Sequence, residues 1–221
     1  MKKVKQTIIL LAAVLFMTAC GSQGERRAVI MEQLERGEIP AEVEVYAVDP
    51  LDSEVAWAGT KIGGEHDGTI GIHHGAFYVF DDELLAGEVV IDMTQIVVLD
   101  IQDPSNNARL KSHLESDDFF SVETYPTATF EITSVQPIED ALPGEESHRI
   151  FGNMTIKGIT HGIAFDGLIE VGEDYINAWA DFDLDRSRWD VRFGSGSFFD
   201  NLGDNLIHDD FNLKLQIIAR K

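Results

Sequence analysis

Cysteine occurs once in this 221-residue chain, at Cys20, so no intramolecular disulfide forms and no zinc site rests on thiolates. Cations are scarce as well: 17 Lys and Arg stand against 39 Asp and Glu, a net charge of -22. A surface so acidic repels phosphate backbones, which excludes nucleic acid as a partner. There is no Gly-x-Ser-x-Gly elbow, no Walker-type glycine loop and no His-x-x-x-His helix pattern, so nothing points to nucleophilic catalysis, nucleotide hydrolysis or a resident cofactor. Hydrophobic residues nevertheless make up 44% of the chain, enough for a packed interior.

The N-terminus has the form of a lipoprotein leader. Lys2, Lys3 and Lys5 precede a mostly apolar run from Thr7 to Phe16, and Met17-Thr18-Ala19 leads into Cys20. The run is shorter than the about 20 residues a membrane-spanning helix needs and suits a signal peptide, although Met17 stands where leucine is usual. The expected organisation is a leader over 1–19, a lipidated tether over 20–42 and one domain over 43–221. Acyl chains on Cys20 attach the protein to a membrane, each buried CH₂ contributing ~0.8 kcal/mol. Gly21 in place of aspartate after the cysteine points to the outer membrane, facing the periplasm. Within the tether, the spacing of Val29, Ile30 and Leu34 predicts a short helix between Arg26 and Arg36, closed by Gly37 and Pro40.

From Val43 onward the period becomes two. Ala128, Phe130 and Ile132 alternate with Thr127, Thr129, Glu131 and Thr133, and Phe211, Leu213, Leu215 and Ile217 alternate with Asn212, Lys214 and Gln216. Similar runs begin at Gly87, Ile150, Ile163 and Ile176, with less regular strands at Glu54 to Ile62 and Ala76 to Phe80. About eight one-sided strands predict an all-β fold, and the pattern leaves barrel and sandwich open. Asp103-Pro104 supplies a cap and a first-turn proline for one helix, with Leu110 and Leu114 on one face. A second short helix is expected from Ser197 through Leu202 to Gly203.

The run His113-Leu114-Glu115-Ser116-Asp117-Asp118-Phe119-Phe120, followed by Tyr125-Pro126-Thr127-Ala128-Thr129-Phe130, resembles the hallmark of the YceI-like polyisoprenoid-binding family. Val55-Ala56-Trp57-Ala58-Gly59-Thr60-Lys61, Ile91-Asp92-Met93, Phe151 to Thr160, Asp185-Arg186-Ser187 and Gly194 to Phe199 follow the family's order. The stretch from Trp189 to Asp204 is longer than its simplest pattern. The resemblance covers Val43 to Lys221. It implies a lipocalin-like antiparallel barrel of about eight strands with one or two short helices, holding a long apolar lipid such as a polyisoprenoid or a quinone precursor, without catalysis. The contacts it implies are Trp57, Phe80, Val89, Ile91, Phe130, Ile132, Met154, Phe165, Phe182 and Phe211 inside, with His113 and Arg186 at the mouth. Alternation alone reads the same for a solid core. Gly87, Gly152, Gly167, Ala178 and Ala180 on the same faces leave volume and favour a hollow.

Three other groupings carry less weight. Arg186, Arg188 and Arg192 share strand parity beside Gly194-Ser195-Gly196-Ser197, which suits a polar headgroup or pairing with Asp181, Asp183 and Asp185. Those aspartates sit ~6.6 Å apart along a strand, too far for one calcium ion. His66, His73, His74 and His161 are the residues a metal-dependent hydrolase would use, but adjacent His73 and His74 are expected to point apart. A lipid-free docking protein is the other alternative.

Overall fold

The computed structural model describes residues 26–221; the leader and Cys20 lie outside the described residues. The elements run β1 Val29–Met31, β2 Glu44–Val48, β3 Glu54–Lys61, β4 Gly64–Phe80, β5 Glu83–Val98, α1 Pro104–Glu115, β6 Thr127–Pro137, β7 His148–Ile156, β8 Ile159–Val171, β9 Tyr175–Asp185 and β10 Ile207–Arg220. From β3 to β10 each strand pairs antiparallel with the next, and β10 returns to β3. The eight strands therefore close into a lipocalin-like barrel, and closure removes the unpaired edges that would otherwise invite association. β2 takes the slot between β4 and β10 ahead of β3, pairing with both.

Local chemistry explains the corners. Asp81 and Asp82 (φ 50° and 62°) join β4 to β5, and Lys157 and Gly158 (φ 49° and 72°) join β7 to β8. Two left-handed residues give the turn twist that matches antiparallel strands. The one α-helix among the described residues begins as its sequence predicts: the Asn106 N–H donates to the Asp103 carboxylate at 2.9 Å, with Pro104 in the first turn. Lys111 Nζ donates to the Ile96 carbonyl at 2.7 Å and holds the helix against β5.

The helix expected over Arg26–Arg36 is a strand in the structure. β8 and β9 pair directly only where Leu168–Val171 meets Ile176–Trp179. Beyond that they part, and β1 enters the gap with Val29, Ile30 and Met31 opposite Ala164, Ile163 and Gly162. The Ala28 N–H donates to the Asp183 carbonyl, and the Asp183 N–H to that of Arg26, both at 2.9 Å. Open backbone groups on the parted strands outweigh a weak helical spacing, and β-branched Val29 and Ile30 suit a strand. Buried Asn153 then fixes the following residues, accepting from the Leu34 N–H at 2.8 Å and donating to its carbonyl at 2.9 Å. Gly162 permits the crossing, since a Cβ there would lie 2.3 Å from the Glu32 carbonyl oxygen. The segment expected to be a free tether is thus, from Arg26, part of the wall. The second helix, expected at Ser197 to Gly203, is also absent as such: the only helical turn in that stretch is a 3₁₀ turn at Gly203–Asn205.

The barrel has two unlike ends. One, the mouth, carries α1 and the long β9–β10 connection; the other, the base, carries the Asp81-Asp82 hairpin and the β8–β9 turn. At the base, Tyr46 is 1% exposed and Ile176 and Ala219 are wholly buried. The Tyr46 hydroxyl donates to the carbonyls of Glu173 and Gly172 at 3.1 and 3.3 Å.

Candidate functional site

Above this base the core leaves a hollow of about 220 Å³, bordered by side chains from all eight barrel strands and by the end of α1. Trp57, Ile70, Ile91, Ala178, Ala180, Leu213 and Leu215 pack against the core yet remain only partly buried, because the faces they turn inward have no partner. The void exceeds the roughly 150 Å³ at which an apolar cavity stays dry and accepts a small hydrocarbon.

Of the residues expected to contact a ligand, Trp57, Val89, Ile91, Phe130, Ile132, Met154, Phe165, Phe182, Phe211 and Arg186 border the hollow. Phe80 does not. It lies at the base hairpin, 36% exposed, because β4 carries one extra residue, His73, between Ile72 and His74, which face the consecutive Ile91 and Val90. That bulge reverses the alternation, and Phe77 takes the inward place. His113 stays outside as well, at the mouth, packed edge-on against Phe119 (5.1 Å) and Phe193 (4.4 Å).

The small residues do not act as expected. A Cβ on Gly152 would lie 2.5 Å from the Phe130 ring, one on Gly87 2.6 Å from the Phe77 ring, and one on Gly167 2.9 Å from Ile150 Cδ1. These glycines seat neighbouring side chains rather than leaving open space. Ala178 and Ala180 do border the hollow. Phe165 and Phe182 stack across the β8–β9 gap at 4.1 Å, forming the inner wall behind β1.

At the mouth, Leu114, Phe119 and Phe120 hang from the end of α1 over the hollow. The paired phenylalanines stood out in the sequence, but nothing short of the fold says that the helix swings them back over the barrel. Arg186 and His208 are the titratable side chains among the described lining residues. Arg186 is buried, and its guanidinium donates to the carbonyls of Val191 (2.9 Å), His208 and Ile207 (both 3.2 Å). It lies 3.6 Å from Asp209 and 5.6 Å from the Phe119 ring centre. Burial pushes its pKa below the ordinary arginine value, with Asp209 and Asp185 opposing. A guanidinium has five donors, so three carbonyls leave hydrogen-bonding capacity at the rim of the void.

The expected arginine row does not form. The strand ends at Asp185, and a 3₁₀ turn over Arg186–Trp189 sends Arg186 inward while Arg188 stays exposed and Arg192 pairs with Asp190. Asp181 and Asp185 instead hold the N-terminal segment, through Arg26 at 3.2 Å and Arg27 at 3.1 Å. His73 and His74 do not point apart: the bulge beside them brings their Nδ1 atoms to 2.6 Å. His66 meets Asp100 and His161 meets the Arg188 carbonyl, so the four histidines fall at three separate places.

Known proteins share this architecture. The barrel resembles BcnA of Burkholderia cenocepacia (TM-score 0.59, 19% identity, 78% of this chain and 99% of that one). It likewise resembles a polyisoprenoid-binding domain from Saccharophagus degradans (TM-score 0.55, 12% identity, 79% and 97%). In sequence the chain is 39% identical over 56 residues to a UPF0312 protein of Azotobacter vinelandii, 25% of this chain and 27% of that protein. It is 31% identical over 104 residues to Protein YceI of Escherichia coli O157:H7, 46% and 51% of the two lengths. These stretches span a quarter and about half of the relatives. The model of the YceI-like domain matches residues 46–219, nearly the whole barrel, and the chain belongs to that family.

Proposed function

We propose that this protein is a non-enzymatic carrier or store for a long apolar lipid, a polyisoprenoid or isoprenoid quinone in class, tethered through lipidated Cys20 to the outer membrane and facing the periplasm. The observation that carries the reading is the apolar hollow bordered by every barrel strand, with one buried cation at its rim. The likeness to a domain described as polyisoprenoid-binding supports it, as does membership of the YceI-like family. Each 100 Å² of tail withdrawn from water contributes about 2.5 kcal/mol, against association costs of 4–15 kcal/mol, so a long tail suffices where a short one does not. The spare donors of Arg186 face the oxygen of a headgroup at the mouth. The polar groups that reach the hollow are engaged with backbone carbonyls or, for His208, lie 2.7 Å from Thr60, an arrangement for orientation rather than bond cleavage.

The test is to purify the lipoprotein from its native membranes and extract it for lipid mass spectrometry, beside an Ala180→Trp variant that fills the void. Near-stoichiometric long-tailed lipid in the parent and at least tenfold less in the variant are expected. A parent that is consistently empty removes the proposal.

A further inference from the structure

The exposed apolar side chains are not arranged alike at the two ends. At the base, Val45, Leu51, Phe80, Leu142 and Tyr175 are exposed too, but each stands on a different strand or turn. At the mouth, Phe193, Phe198 and Phe199 (41%, 40% and 49% exposed) share one connection, with Ile62 and Leu99 exposed at neighbouring strand ends. Phe193 packs on Phe119 at 5.6 Å, and Phe119 borders the hollow, so the outer rings are continuous with the lining. Cations show the same bias. Among the described residues Lys61, Arg109, Lys157 and Arg188 pair with no carboxylate, and all four lie at the mouth end. Exposed Asp117, Asp118, Asp200 and Asp204 stand among them. A rim with both signs of charge around aromatic rings matches a zwitterionic headgroup layer, whose phosphates meet the cations and whose ammonium groups meet the carboxylates, over an apolar interior.

The point where the chain joins the wall agrees. Five residues separate Cys20 from Arg26, and that segment fully extended reaches at most about 20 Å. Arg26 is held at Asp181, four residues from the mouth end of β9 and six from its base end, or about 13 and 20 Å along the strand. The chain therefore joins the wall nearer the mouth than the base.

We infer that the mouth docks on a zwitterionic phospholipid bilayer, the one that receives the acyl chains of Cys20, so that a lipid passes between bilayer and hollow without crossing water. The inference rests on the lipid-carrier reading above. Its test uses the full chain with Cys20→Ser, which carries no acyl anchor, and vesicles of phosphatidylcholine and phosphatidylethanolamine in a flotation assay. A Leu99→Ser/Phe198→Ser/Phe199→Ser variant should bind vesicles at least tenfold less, while Phe80→Ser/Leu142→Ser at the base binds as the parent does. Circular dichroism shows that both variants fold. Parent binding that is undetectable at millimolar lipid, or equal losses from both variants, overturns the inference. So does a dimer abolished by the mouth substitutions without vesicle binding, which assigns the rim to a second copy. Uptake of a polyisoprenol from detergent micelles, measured in parallel, reports on the hollow alone; its failure strikes the carrier reading and leaves the vesicle result to stand or fall separately.

Discussion

At the base, closure is made by interlocking: Tyr46, Ile176 and Ala219 are buried to within 1%, the Tyr46 hydroxyl ties into the β8–β9 turn, and Lys221 reaches both Glu44 and the Tyr46 ring. At the mouth, closure is made by loops. Buried Arg186 ties the β9–β10 connection to the start of β10, donating to the carbonyls of Val191, Ile207 and His208, and fully buried Trp189 donates its indole N–H to the Met154 carbonyl at 3.1 Å. Backbone groups that no strand can pair are thereby satisfied, while the side chains facing the hollow stay partly bare. A barrel with one end packed like a solid core and the other propped by hydrogen bonds keeps a void without collapsing into it.

The largest expected effect tests that contrast through truncation. Ile176→Ala at the base removes a side chain with close-packed neighbours and should cost about 2–5 kcal/mol. Leu213→Ala removes one that already borders the void, so it forfeits fewer contacts and should cost clearly less. Urea unfolding of both variants measures the difference, and equal losses would mean that the inner wall is packed like the base. A smaller effect is expected at the seam. Asn153→Ala leaves the Leu34 N–H and carbonyl without partners and should cost about 1–3 kcal/mol. Hydrogen exchange should then rise across Arg26–Leu34 before it rises in β6 or β7; uniform exchange would show that β1 is no separate unit.

How much of this was legible in the sequence depends on where the alternation was clean. Over Thr127–Thr133 of β6, Ala180–Asp185 of β9 and Phe211–Ile217 of β10, polar and apolar residues alternate without interruption, and Phe130, Phe182 and Phe211 lie where that pattern puts them. In β4, one bulge at His73 resets the parity, so Phe80 and the histidine pair were misplaced; nothing in single residues marks a bulge within a long strand. Gly152 and Gly87 read as open volume because a sequence does not show which ring a missing Cβ accommodates. Arg186 was singled out for its neighbours, yet its inward turn depends on a strand ending one residue earlier. The N-terminal strand was hidden for a different reason. Its partners are the parted edges of β8 and β9, and that parting is a property of the closed barrel.

The smallest effects separate the two ends by pH. His148, at the base, has its pKa lowered by burial, with Glu83 opposing. Its neutral form is favoured in the fold, so its contribution is intact above the ordinary histidine value of 6.5 and is lost as pH falls through that value. Asp210, near the mouth, has its pKa raised, chiefly by burial, while Arg27 opposes and Asp185 and Asp183 add to the rise. For a raised carboxyl the cost appears in the other direction: none when both states are protonated, growing as pH climbs above 3.8, its ordinary value. Asp210→Asn should therefore raise the Tm at pH 7 and leave it unchanged at pH 3, whereas His148→Gln should leave it unchanged at pH 8 and raise it at pH 5. Thermal melts at these values check both. A gain for Asp210→Asn at pH 3 that matches the gain at pH 7 would show that packing, not charge, is what that carboxyl opposes.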